Sequence, residues 1–96
     1  MDRIYKQALT SYETKISAKR FLDVQLQNGV MTVWYIDNPK ENKDYEVCLV
    51  GTGWEVDLDG MQYVRTVQNL DGYVWHVFVK KVEKEWTIED ILRREG

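Results

Sequence analysis

The dipeptide Asn28-Gly29 constrains the fold of this chain more than any other feature of its sequence. Both central residues of a type I′ turn need positive φ, and Asn followed by Gly adopts that conformation at low cost. A two-residue turn here gives a hairpin with one apolar face and one mostly polar face. The predicted apolar pairs are Leu26 with Met31, Val24 with Val33, and Leu22 with Tyr35; the pairs on the other face are Gln25 with Thr32 and Asp23 with Trp34.

Alternation of apolar and polar residues predicts further strands on both sides of this hairpin. They cover 4–9 and 12–16 before it, and 45–49, 54–58, 61–68 and 73–79 after it. Gly51-Thr52-Gly53 separates two of these strands and is predicted to be a tight turn, with a ligand-facing backbone loop as the alternative. The last two strands join through residues 69–72, where several loop lengths give acceptable faces, so their register stays open.

The C-terminal end has the pattern of a short helix. Thr87, followed by the acidic Glu89 and Asp90, is typical of a helix N-cap with acids in the first turn. Arg93-Arg94 suits the negative end of the helix dipole. Because a helix of about two turns is marginal alone, we expect it to dock, with Trp86 fastening it to the sheet.

Length and composition favour one domain over 1–96. A chain of 96 residues with 44% hydrophobic residues has enough apolar surface for one core and too little for two. We predict a β core at 3–79, followed by a linker and helix at 80–96. The predicted fold class is mainly β: a small antiparallel barrel or sandwich of six to seven strands with one short C-terminal helix.

Charge and cysteine content exclude several classes of function. The net charge is −3 with both signs interspersed, so we expect no binding of duplex nucleic acid, which needs a basic surface. The single cysteine, Cys48, cannot form an internal disulfide, and a reducing cytoplasm fits it. The N-terminus lacks the apolar region of a signal peptide, and no apolar run approaches the ~18 residues of a membrane span.

The sequence offers little catalytic or metal-binding chemistry. His76 is the one candidate general base, but it lies inside an apolar strand with no nucleophile motif near it. We interpret it as a structural histidine and keep a hydrolase as the minor hypothesis. One His and one Cys cannot fill a four-ligand zinc site, so we expect no metal and no cofactor. Gly51-Thr52-Gly53 lacks the following helix of a phosphate-binding loop.

The chain contains four Trp and six Tyr, more large aromatic residues than a core of this size usually needs. Trp75 is predicted to be in the core. Trp34 falls on the polar face of the first hairpin. There it is either covered by another element or exposed, as an anchor for a partner or as a platform on which a base stacks. Trp54 follows the glycine turn and is predicted to line a mouth beside it.

Seven short motifs, in order, resemble a family of small uncharacterised proteins from bacterial viruses that is classed as a domain of unknown function. The resemblance covers roughly 3–79, and the chain departs from it at Asn38, an insertion, and at Arg65, where glycine is expected. The motifs are Ile4-Tyr5-Lys6, residues 22–29, Val33-Trp34, Asp37-Asn38-Pro39, Val50-Gly51-Thr52-Gly53, residues 63–66 and Val74-Trp75-His76-Val77-Phe78. The resemblance implies a small accessory protein in an infected bacterial cytoplasm that acts by stoichiometric binding, and it brings no catalytic residues.

Two hypotheses of function follow. The first is a non-enzymatic protein that inhibits a host defence protein or another host protein by occlusion, with Trp34, Trp54 and Tyr63 as its contact residues. The second is a homo-oligomeric sponge that sequesters a nucleotide or cyclic nucleotide between aromatic rings, with the amides of Gly51, Thr52 and Gly53, or the guanidinium of Arg65, at the phosphate. A role as a virion component is left open.

Overall fold

The structure, a computed structural model, describes residues 1–40 and 43–82. This part of the chain is mainly β, as predicted, with seven strands. The strands are β1 (Ile4–Ala8), β2 (Glu13–Ile16), β3 (Ala18–Gln27), β4 (Val30–Asp37), β5 (Tyr45–Gly51), β6 (Gln62–Gln68) and β7 (Val74–Lys81).

The strands form two antiparallel sheets. One sheet has the order β1-β4-β3, and the other has the order β2-β5-β7-β6. Ser17 alone separates β2 from β3, so the chain passes from one sheet to the other at this residue. The barrel alternative is wrong for the described residues: β3 and β6 are neighbouring edge strands, but no ladder joins them. Both strands carry β-bulges, which disrupt the regular row of backbone donors and acceptors that a ladder needs.

The first hairpin confirms the turn prediction. Asn28 and Gly29 have φ of 51° and 80°, and the pairs from Leu26–Met31 back to Asp23–Trp34 are those predicted. The predicted pair of Leu22 with Tyr35 is wrong. A bulge at Leu22 puts Phe21 opposite Tyr35 and leaves the leucine side chain exposed. The bulge adds one residue to β3, so the residue pairs predicted from the turn are correct only as far back as Asp23.

Segment 54–58 is not the predicted strand. The Trp54 amide donates to the Gly51 carbonyl at 3.1 Å, and Gly53 has φ of 88°, so the chain turns sharply at the end of β5. Every residue from 52 to 60 is exposed, and no described strand pairs with 54–58. The alternation in this segment therefore reflects a strand-like sequence that has no ladder partner among the described residues.

The hairpin of β6 and β7 has a three-residue loop, which settles the register that the sequence left open. The Asn69 amide donates to the Tyr73 carbonyl at 2.7 Å, and Gln68 lies opposite Val74. Gly72 has φ of 90°, the left-handed conformation that ends a loop of this length. Strand β7 continues to Lys81, beyond the predicted core end at 79. The predicted C-terminal helix and Trp86 lie outside the described residues.

The core lies between the inner faces of the two sheets. Its largest fully buried side chains are four valines: Val24 and Val33 from the first sheet, and Val47 and Val77 from the second. The rings of Phe21 and Tyr45 meet edge to face across the interface, with centroids 5.3 Å apart. Within residues 1–40 and 43–82, no helix is long and apolar enough to cross a membrane.

We predict that Val33→Ala lowers the free energy of unfolding by about 2–3 kcal/mol, because it removes two buried carbons and leaves a cavity. Val30→Ala is the matched control in the same strand, since Val30 is 44% exposed and Val33 is fully buried. The control is expected to cost about 0.5 kcal/mol or less. Urea unfolding of both variants measures the difference, and equal losses would contradict the assigned core.

Candidate functional site

The glycine turn at the end of β5 fixes the position of Trp54. The Trp54 ring folds back over Gly51, so a Cβ at position 51 would lie 2.7 Å from Cε2 and 2.8 Å from Nε1 of the indole. Only glycine leaves room for the ring at this distance. The segment Gly51-Thr52-Gly53 is thus the tight turn predicted from sequence, and it orients a large aromatic side chain.

Trp54 is part of an aromatic cluster with Tyr12 and Trp75. The Trp54 ring meets Tyr12 and Trp75 edge to face, with centroids 5.3 Å from each, and Tyr12 lies 5.8 Å from Trp75. Trp75 is half-buried and packs against the core, which anchors the cluster. Tyr12 and Trp54 are exposed. The cluster therefore presents two ordered aromatic rings to solvent. Edge-to-face contacts between rings stabilise such a cluster beyond the effect of the apolar area that they bury.

An open segment, residues 54–58, continues from this cluster. Trp54, Val56 and Leu58 are 49%, 43% and 44% exposed. Two acidic residues, Glu55 and Asp57, alternate with them. Sequence reasoning identified Trp54 as a surface residue but missed Val56, Leu58 and Tyr12, because alternation predicted that each belonged to a half-buried strand.

A chain of hydrogen bonds crosses the outer face of the second sheet. Thr52 Oγ1 is 2.7 Å from His76 Nε2, Thr66 Oγ1 is 3.0 Å from His76 Nδ1, and the Tyr63 hydroxyl is 2.8 Å from Thr66 Oγ1. Both ring nitrogens of His76 therefore have partners. These hydrogen bonds connect Tyr63 to Thr52 through Thr66 and His76. Tyr63 and Thr52 are both predicted site residues.

This row of hydrogen bonds has one feature of a catalytic site, a hydroxyl within hydrogen-bond distance of an imidazole. The other ring nitrogen faces Thr66, however, and a catalytic histidine usually has a carboxylate there to stabilise the imidazolium. The arrangement places the imidazole between two hydroxyl groups. It explains how a polar residue is accommodated in the apolar strand β7.

Arg65 and Trp34 lie away from the glycine turn. Arg65 Nη1 is 3.0 and 3.2 Å from the carboxylate oxygens of Asp23, so this ion pair joins β6 to β3 across the two sheets. Partial burial alone would raise the pKa of Asp23, but hydrogen bonds from Gln25, the Val24 amide and Arg65 hold it below its ordinary value. Trp34 is half-buried in the other sheet, between Lys6 and Asp23 in the ladder.

The structure thus brings the predicted site residues together only in part. Gly51, Thr52, Gly53 and Trp54 form one turn, and Tyr63 is connected to it through His76. In the part of the chain that the structure describes, no group of three His, Cys, Asp or Glu side chains is placed to hold a metal ion.

These features define a small antiparallel β protein of two sheets with an ordered aromatic surface at one strand end. Comparison with protein families then places the chain: residues 1–87 match a family described as a domain of unknown function, DUF7352, and the chain belongs to that family. The match confirms the resemblance at the level of a domain of unknown function, and it extends beyond the predicted 3–79. No curated protein and no solved structure matches the chain.

Cys48 lies in β5 of the second sheet, in a setting that suppresses its reactivity. Burial, together with the nearby carboxylate of Glu46, raises the pKa of the Cys48 thiol from 9.0 to about 11. Glu46 Oε1 is 3.6 Å from the Cys48 sulfur and 3.3 Å from Lys80 Nζ. A thiol this buried behaves as a small apolar side chain and not as a nucleophile.

We predict that native Cys48 reacts with a thiol reagent at pH 8 at least about a hundredfold more slowly than in urea, since two pKa units lower the thiolate fraction by about that factor. Folding raises the pKa of the Cys48 thiol, so the folded state favours the protonated thiol. The contribution of this thiol to the free energy of unfolding is therefore complete below pH 9.0 and is lost as the pH rises toward about 11. Cys48→Ser is the blank. Equal labelling rates in buffer and in urea would contradict the burial.

Proposed function

We propose that this protein is a non-enzymatic accessory protein of a bacterial virus, which binds a host protein stoichiometrically in the host cytoplasm and inhibits it by occlusion. The protein recognised is a defence protein or another host protein. The viral origin and the host setting rest on the motif resemblance, since the family match supports a domain of unknown function and no more.

The observation that supports a binding role is the exposed apolar surface formed by the aromatic cluster and the open segment. Trp and Tyr are enriched at the energetically dominant positions of protein interfaces. Trp54 is held in place by Gly51 and by edge-to-face contacts with Tyr12 and Trp75. A side chain that is already ordered loses little conformational entropy on binding, so more of its burial contributes to affinity.

Two of the groups predicted for the alternative, a homo-oligomeric nucleotide sponge, have internal partners. The Thr52 amide donates to the Val74 carbonyl at 3.4 Å, and the Arg65 guanidinium contacts Asp23. These contacts would have to break before the same groups could bind a phosphate. They therefore favour the protein-binding proposal at this turn, and the sponge stays a prediction.

The test begins with affinity capture from bacterial lysate and continues with the purified partner. We predict that Trp54→Ala weakens binding at least tenfold, because it removes the central anchor of the surface. Since Trp54 also packs against its neighbours, the double variant Val56→Ser and Leu58→Ser provides a second test that leaves the cluster intact. Titration calorimetry gives the dissociation constants, and circular dichroism verifies the fold.

Val30→Ser is the matched control, since Val30 is 44% exposed on the other sheet and Val56 is 43% exposed on the open segment. This control is expected to bind as the unmodified protein does. Trp34→Ala is measured separately, and unchanged binding would remove Trp34 from the contact surface. Failure to capture any stoichiometric host protein, or full affinity in both open-segment variants, would contradict the proposal.

A further inference from the structure

A cleft opens between the edge strands β3 and β6, away from the glycine turn. Its volume is about 320 Å³, at the lower end of the range for small-molecule sites. The two sheets approach here without a ladder, so the space between their edges is not filled by hydrogen-bonded backbone. The lining residues come from β3, β5, β6 and β7: Lys19, Arg20, Phe21, Leu22, Tyr45, Gln62, Tyr63, Val64 and Val79.

Three irregularities in the strand ladders lie around this one cleft. The register of β3 shifts at Lys19 and again at Leu22, and the register of β6 shifts at Val64. All three residues line the cleft. A β-bulge bends its strand and redirects side chains, and bulges are frequent beside functional sites. Because the bulges on the two facing strands occur together, they shape the opening from both sides.

The charge of the lining differs from that of the whole chain. The chain has net charge −3, yet the described lining includes the cations Lys19 and Arg20 and no carboxylate. Arg20 is exposed, and its guanidinium group is suited to binding phosphate through two hydrogen bonds. Lys19 forms an exposed ion pair with Asp2 at 2.8 Å, a weak contact that an anion could replace.

Three residues of the lining are aromatic. Phe21 and Tyr45 pack edge to face with centroids 5.3 Å apart, and Tyr63 packs against Phe78 with centroids 5.7 Å apart. The Tyr63 side chain is ordered by this contact and by its hydrogen bond to Thr66, but it is 56% exposed. An exposed, ordered aromatic ring is a surface on which a planar base can stack.

We propose that this cleft binds a nucleoside phosphate, with the base against Tyr63 and the phosphate at Arg20 and Lys19. The site uses Tyr63 from the predicted set, but cations that sequence reasoning did not select. It does not depend on the protein-binding proposal, because the aromatic cluster and the open segment contribute no residue to it.

The probes are AMP, GMP, CMP, UMP, cyclic AMP and cyclic GMP, each at a fixed concentration of about 1 mM, with adenosine, guanosine and inorganic phosphate alone for comparison. A ligand at about five times its dissociation constant raises the Tm of a domain this size by ~4–8 °C. We expect a rise of this size for at least one nucleotide and less than half of it for adenosine, guanosine or phosphate.

Arg20→Gln and Tyr63→Ala are expected to abolish the rise. Tyr63→Phe keeps the ring and is expected to retain it, and Arg3→Gln is the matched control for loss of an exposed arginine outside the cleft. The proposal is overturned if no nucleotide raises the Tm, if phosphate alone raises it as much as the nucleotides do, or if Arg20→Gln leaves the rise unchanged. Each result leaves the protein-capture experiment unaffected, so the two proposals can fail separately.

Discussion

The packing of two inner sheet faces through small β-branched side chains is the constraint on which the rest of this structure depends. Val24, Val33, Val47 and Val77 are completely buried, and they come in pairs from the two sheets. A domain of 96 residues buries a smaller fraction of its surface than a larger one does. It therefore depends on close packing of these side chains between the two sheets.

This arrangement explains why so many large aromatic residues lie at the surface. Among the described residues, Tyr35 is the one aromatic side chain in the buried core, and Tyr12, Trp54 and Tyr63 pack at its margins. Each is ordered by neighbouring rings while part of it faces solvent. Both proposed binding regions lie where a regular ladder stops: one at the glycine turn after β5, and the other at the bulges of β3 and β6. Interrupted ladders lose hydrogen bonds but expose side chains that a continuous sheet would cover.

Local sequence chemistry predicted the features that depend on a few neighbouring residues. The Asn28-Gly29 turn and the pairs next to it follow from turn geometry alone. The register failed at Leu22 because a bulge is decided by contacts across the sheet, which alternation does not record. The prediction of a strand at 54–58 was wrong for a related reason. The segment has the sequence pattern of a strand, but a strand also needs a neighbouring edge to pair with. The turn that follows Gly51 directs the chain away from such an edge.

The same limit applies to the candidate sites. Trp54 and Tyr63 could be selected from sequence because large aromatic residues in excess of a core are conspicuous. The hydrogen bonds that connect Thr52, His76 and Thr66 join three separate strand regions, and the cleft at Arg20 exists only because β3 and β6 lie side by side. Such juxtapositions come from the order of strands in space, which a single sequence does not reveal.

Amide hydrogen exchange, resolved by residue in the free protein, tests most directly the division between a valine core and an open segment. The account predicts that the amides of Val33, Val47 and Val77, in strands paired on both sides, exchange only through global unfolding. The amides of residues 55–57 are predicted to exchange at nearly the rate of an unstructured chain. Protection of residues 55–57 equal to that of the three valines would show a paired strand in place of an accessible binding surface, and would contradict the account.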